Sequence, residues 1–204
     1  MKNTFIVSCP IDTYSGYGAR ARDFVKSLIE LDKYDVKILS QRWGNTTRGF
    51  IERNKEKWGF LEEFIIPGLQ EKPDYWCQIT VPNEFQSVGK YNIGLTAGIE
   101  TTNCDIEWIK GCNRMDLILT SSEHSKSTFV NSQFQNESNK DDIIRLKKPI
   151  EVLFEGGNLD IYKIIKKFNN KELYNQIDLI EEDFAYLNVG HWMQGSFGHD
   201  RKNI

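Results

Sequence analysis

Glu100 is the carboxylate best placed to do chemistry in this sequence. It follows a short apolar run, Tyr91-Asn92-Ile93-Gly94-Leu95-Thr96. If that run is a strand of an open α/β sheet, Glu100 stands near its carboxyl end, where such sheets bind ligands. A carboxylate there can accept hydrogen bonds from hydroxyl groups or act as a general base. The plainer alternative is that Glu100 caps the loop or pairs with Arg20 or Arg22. Thr101 and Thr102, next to it, can donate hydrogen bonds to ligand oxygens. His124 falls in the first turn of a later helix, where a ligand phosphate could meet open amides; a solvent-exposed helix histidine is the plainer reading. His191 follows a late apolar run and His199 precedes a basic pair. That pair, Arg201 and Lys202, carries phosphate chemistry: arginine clamps two oxygens and lysine supplies a point charge. An ordinary exposed basic pair is the alternative.

A second constellation is Gly16-Tyr17-Gly18-Ala19-Arg20-Ala21, a G-x-G-x-x-A spacing between an expected strand and an expected helix. Dinucleotide sites need that context. They also want an acidic residue at the tip of the second strand. Here that strand ends Leu39-Ser40-Gln41-Arg42, with no carboxylate. Arg42 would suit the extra phosphate of NADP. The loop between Val7 and Gly18 is ten residues long, longer than the usual tight turn. Three readings stay open: a simple connecting turn, a turn lining a cleft for a sugar or phosphate, and an NADP site using Gly16, Gly18 and Arg42.

The elements that would position these residues follow from periodicity. Phe5-Ile6-Val7 is expected as a buried first strand. Ala21, Phe24, Val25, Leu28 and Ile29 recur at helical spacing, with Arg20, Arg22, Lys26 and Glu30 outside the apolar stripe. Val36, Ile38 and Leu39 form a second strand. The stretch 44–72 is irregular, with Trp58 to Ile66 supplying a helix and a strand fragment. Strands are expected over Tyr75–Thr80, Tyr91–Thr96, Leu117–Thr120 and Ile150–Phe154. A helix starts at Asp105 and runs through Met115, and another is capped by Ser121 or Ser122. Asn131 to Lys148 reads as a helix end and surface loop. Leu159 to Asp183 reads as a charged connector, and Phe184 to Gly190 as a further strand. Strands alternating with helices predict an α/β domain with a mostly parallel sheet.

Composition narrows the classes of partner. The chain has 204 residues and a net charge of -3, so no basic field points to nucleic acid. No apolar run approaches the ~20 residues of a membrane span, and the N-terminal apolar stretch is too short for a secretory signal. Membrane association is not evident. Cys9, Cys77, Cys104 and Cys112 contain no C-x-x-C pair. Four reduced thiols in a cytoplasmic protein are expected, rather than a zinc site.

Five segments in order resemble glycosyltransferases of the GT-B fold, particularly the large group called family 4. They are Ser15-Gly16-Tyr17-Gly18 with Arg22; Asn92 to Thr102 leading to Trp108 and Asp116; Leu117-Ile118-Leu119-Thr120-Ser121-Ser122-Glu123-His124-Ser125-Lys126; Ile150-Glu151-Val152-Leu153-Phe154-Glu155-Gly156-Gly157; and Asn188-Val189-Gly190 with Asp200-Arg201-Lys202-Asn203. Glu100 stands where many members have a histidine, and Glu155 replaces the usual asparagine.

The resemblance implies α/β architecture: a Rossmann-like parallel sheet flanked by helices, the N-terminal half of a GT-B fold. It implies an acceptor-side domain over 1–158, a connector over 159–183 and the start of a nucleotide-sugar domain over 184–204. The family's paired donor-holding glutamates would lie beyond Ile204. It further implies hexosyl transfer from a nucleotide-sugar to a sugar or glycan hydroxyl, with no metal and no separate cofactor. Glu100 would be catalytic. Gly16, Tyr17, Gly18, Thr101 and His124 would line the acceptor cleft, and His191, Arg201 and Lys202 would hold the donor phosphates. The rivals are a non-catalytic glycan- or partner-binding module, the NADP-dependent oxidoreductase, and a sugar-nucleotide epimerase of the same architecture.

Overall fold

The computed structural model describes residues 2–136, 139–157, 159, 162–164 and 169–186. The chain divides into two compact units, Met1–Gly156 and Gly157–Ile204. In the first unit, six strands form one all-parallel sheet. They are β1 (Thr4–Cys9), β2 (Asp35–Ser40), β3 (Tyr75–Ile79), β4 (Tyr91–Leu95), β5 (Leu117–Thr120) and β8 (Ile150–Val152). Their spatial order is β2-β1-β3-β4-β5-β8. Ile65 adds a parallel bridge to Ile38 outside β2, and Ile66 N donates to Ile38 O at 2.9 Å. Counting that bridge as a rudimentary strand, the sequence order across the sheet is 3-2-1-4-5-6-7. The direction of winding therefore reverses between β1 and β3, which is where open sheets of this kind leave a crevice.

Alternation along the strands feeds two cores. Phe5, Val7 and Cys9 join Val25, Ile38 and Leu61 on one face. Ile6 joins Trp76, Ile109, Ile118 and Phe129 on the other. Three helices pack on the first face: α1 (Gly16–Leu31), α2 (Phe50–Arg53) and α3 (Lys55–Trp58). Two cover the second: α4 (Ile106–Cys112) and α5 (Glu123–Asn131). Burial on both faces explains why the strands read as short apolar runs. The fold is thus an α/β, Rossmann-like parallel sheet flanked by helices.

Local signals set the helix starts. Ser15 Oγ accepts from Gly18 N, Asp105 from Glu107 N, and Ser122 from Ser125 N. Helix α4 stops at Cys112, short of the expected Met115, because Arg114 N and Met115 N turn back to Gly111 O and Cys112 O at 3.0 Å each. β8 stops at Val152, short of the expected Phe154.

Two expectations are corrected more substantially. Residues 131–148 are not a surface loop: β6 (Gln133–Asn136) and β7 (Asn139–Arg145) form an antiparallel ribbon. Phe134 and Ile144 pack from it onto the second core. A single apolar residue per turn of alternation gave too little period-2 signal to announce it. Arg22 is not outside the apolar stripe of α1: it is 4% exposed.

In the second unit, α6 (Lys171–Ile177) is capped by Asn170, whose side chain accepts from Leu173 N, and it buries no residue. Phe184 to Tyr186 form no strand. The rest of that expected strand, 187–190, lies outside the described residues. Among the described residues no helix is long and apolar enough to cross a membrane.

Candidate functional site

The site grows from the loop between β1 and α1. Thr13 Oγ1 donates to Pro10 O at 2.9 Å and meets Ser15 Oγ at 2.8 Å. The Arg22 guanidinium reaches the same loop from inside, donating to Ile11 O at 2.8 Å and Thr13 O at 3.0 Å. It lies 3.4 Å over the Phe50 ring, so a buried charge is matched by two carbonyls and a π face. Burial pushes its pKa down, to about 10. Asp12, on the outer side of the loop, accepts from Gly49 N and Ile51 N at 3.0 and 2.9 Å. It serves α2 as a cap that Gly49 cannot supply.

Gly18 belongs to this construction. A Cβ there would sit 2.5 Å from Thr13 O and 2.7 Å from Thr13 Oγ1. The glycine makes room for the protein's own loop. Gly16 has open space around it.

Tyr17 joins the loop to the tip of β4. Its hydroxyl lies 3.0 Å from Thr96 Oγ1 and accepts from Ala97 N at 3.2 Å. Desolvation raises its pKa, the hydrogen bonds with Thr96 and Ala97 oppose the rise, and the carboxylates of Glu155 and Glu84 add to it. The phenol therefore stays protonated near neutral pH. Its ring stacks on Trp43 at 4.2 Å.

Two cavities flank the Tyr17–Trp43 pair. One, of about 140 Å³, is lined by Gly16, Tyr17, Arg20, Leu95, Ala97 and Glu155. Arg20 donates to Leu153 O at 2.7 Å and Phe154 O at 3.4 Å, and its Nε lies 3.7 Å from Glu155 Oε1. That Nε is buried without a hydrogen-bond partner. The other cavity, of about 300 Å³, is lined by Trp43, Gly44, Asn45, Thr46, Val81 and Glu84. Thr80 Oγ1 donates to the Glu84 carboxylate. The turn bearing Glu84 is held from behind by α4. Arg114 donates to Phe85 O and Asn83 O at 2.7 Å each, and Gly111 packs so close to Pro82 O that a side chain there would clash.

Glu100 is exposed on the loop after β4, on the same carboxyl edge as Gly16 and Tyr17. Side chains at the start of α5 and along it grip that loop. Ser121 Oγ donates to Ala97 O at 2.7 Å and Thr128 Oγ1 to Thr101 O at 3.0 Å. His124 Nε2 lies 3.2 Å from Glu100 O. A carbonyl only accepts, so this contact is a hydrogen bond in the forms of His124 that carry a proton on Nε2. The Thr101 hydroxyl is spent on Asn103 O at 2.6 Å.

Among the expected site residues, Gly16 and Tyr17 thus meet the start of the β4 loop that carries Glu100 and Thr101, with His124 against that loop, whereas Gly18 packs on its own loop. His191, Arg201 and Lys202 lie outside the described residues. Arg20, Trp43, Glu84 and Glu155 were missed as site residues. Their meeting point depends on four different strand tips, and no local spacing announces it. The four cysteines are free and buried. Among the described residues no group of three His, Cys, Asp or Glu side chains is arranged to hold a metal.

No family model matches this sequence, and neither a curated protein nor a solved structure matches it. What the fold and site define is a class: a Rossmann-like α/β domain with an aromatic and carboxylate-rich crevice at its carboxyl edge.

Proposed function

We propose that this chain is the acceptor-side part of a GT-B-type glycosyltransferase, moving a hexosyl group from a nucleotide-sugar to a hydroxyl acceptor in the cytoplasm. The observation that carries the reading is the crevice at the winding reversal. There Tyr17 ties the β1–α1 loop to the β4 loop, and Glu100 stands on the same edge. The winding order is that of the Rossmann half-domains from which such enzymes are built. In this reading Glu100 orients or deprotonates the acceptor hydroxyl. Arg201 and Lys202, with His191, compensate the charge of the departing nucleotide diphosphate.

The oxidoreductase rival rests on Gly16, Gly18 and Arg42, and Gly18 already has a packing reason in Thr13 and Pro10. The resemblance implies that this stretch alone is inactive, so the test is a panel of nucleotide-sugars assayed for hydrolysis and transfer by the complete protein, with Glu100→Gln and Lys202→Ala alongside. Turnover that falls at least tenfold in both variants is the expected result. Saturable NADPH binding with no sugar turnover would overturn the proposal.

A further inference from the structure

The charges around the crevice go further and speak to the kind of acceptor; this step rests on the sugar-handling reading above. We infer that the crevice seats an uncharged sugar ring against Trp43, beside Glu84, and rejects phosphorylated or carboxylated acceptors.

Three observations carry it. First, Trp43 is fixed by stacking on Tyr17 at 4.2 Å, which in turn is fixed by Thr96 and Ala97. An aromatic surface that does not move offers an apolar wall for the C–H face of a pyranose at little ordering cost. Second, the cavity on the Trp43 side, about 300 Å³, is within the size range of small-molecule sites. Its rim offers Asn45, Thr46 and Glu84, groups that exchange hydrogen bonds with hydroxyls. Third, the field is negative. Glu84 and Glu155 both act on the Tyr17 hydroxyl. Among the described residues lining the two cavities the cation is Arg20, and it faces Glu155 at 3.7 Å. A phosphate entering the Trp43 cavity meets the Glu84 carboxylate, and no cation is among that cavity's described lining residues.

The experiment measures binding to the whole chain by tryptophan fluorescence, confirmed by saturation-transfer NMR. The probes are neutral methyl hexosides and the matching hexose 6-phosphates and hexuronates. The proteins are wild type, Trp43→Ala, Trp43→Phe and Glu84→Gln, each checked for native far-UV circular dichroism. At least one neutral hexoside should bind saturably, and its 6-phosphate about tenfold more weakly, as one unscreened carboxylate a few ångströms away implies. Trp43→Ala should weaken the neutral sugar at least tenfold, with Trp43→Phe intermediate; the phenylalanine variant serves alone if the alanine variant does not fold. Glu84→Gln should narrow the gap to the phosphate at least threefold. Equal or tighter binding of the phosphates, no binding of any neutral sugar, or unchanged affinity in both Trp43 variants overturns the inference. Nucleotide-sugar turnover, run in parallel, separates the two claims. Transfer to a phosphorylated acceptor sinks this inference and keeps the transferase. Neutral-sugar binding without turnover keeps this inference and sinks the transferase.

Discussion

Replacing each glycine of the Gly16-Tyr17-Gly18 turn by alanine should move stability in opposite directions. At Gly18 the added methyl would meet Thr13 O at 2.5 Å, Thr13 Oγ1 at 2.7 Å and Pro10 O at 3.0 Å. None of these atoms can easily retreat. Thr13 O accepts from the Arg22 guanidinium, and Thr13 Oγ1 is bonded to Pro10 O and Ser15 Oγ. Overpacking of this kind costs about 1–3 kcal/mol, and disturbing the Ser15 cap adds about 1 kcal/mol. Against that stands a gain of about 1 kcal/mol from alanine in a helix. The net is a loss of about 2 kcal/mol, or a fall in Tm of about 4–8 °C for a chain of this size. At Gly16 the methyl meets nothing within 4 Å, so only the unfolded-state gain of about 0.5–1 kcal/mol is left. Urea unfolding followed by circular dichroism reads both as shifts in midpoint at unchanged slope. Gly18→Ala as stable as wild type would show that the glycine serves ligand approach after all, and that the loop packing described here is not what requires it.

Three further outcomes follow from the same structure. Arg22→Met should lower stability by about 3 kcal/mol, since Ile11 O and Thr13 O lose charged donors inside the protein and Phe50 loses its cation; Arg22→Lys should recover part of it, and a urea midpoint unmoved by Arg22→Met contradicts the assignment. Burial pushes the Cys9 and Cys112 thiols up to about 12 from an ordinary value of 9.0, so alkylation by iodoacetamide at pH 8 should be roughly a thousandfold slower in native protein than in urea; equal rates refute the burial. The Asp116 carboxyl is held below its ordinary 3.8, chiefly by the Asn92 N–H. Its contribution is therefore complete above that unfolded-state value and is lost as pH falls through the lower folded one. Asp116→Asn should destabilise by under about 1 kcal/mol at pH 7, with a flatter stability profile below pH 4; parallel profiles would remove the effect.

The strands buried on both faces were legible because two-sided burial writes an uninterrupted apolar run. Leu117–Thr120 was located to the residue, and Asp105 was readable as a cap, with Ser122 one of two candidates beside Ser121, because only a few side chains can fill that role. The ribbon of β6 and β7 was not legible, since it rests on Phe134 and Ile144 alone. Arg22 was misplaced because helical periodicity ranks residues by polarity. A guanidinium that finds two loop carbonyls and an aromatic face becomes a core residue, and that is a tertiary fact. The site shows the same division. Gly16, Tyr17, Gly18 and Glu100 could be placed beside strand ends, which fixes their position and not a role. Trp43, Glu84 and Glu155 could not, because their shared location follows from strand order rather than from spacing.

The close seating of Gly111 and Arg114 behind residues 82–85 has a practical consequence. Helix α4 faces away from the crevice, yet it dictates where the Glu84 carboxylate stands. If the crevice takes sugars as proposed, random mutagenesis scored on sugar preference should therefore return substitutions at Gly111 and Arg114 that touch no ligand. Their signature would be altered selectivity among acceptors with little change in the far-UV spectrum. Anyone seeking to retune this crevice has a handle on its reverse side, where the aromatic floor need not be disturbed.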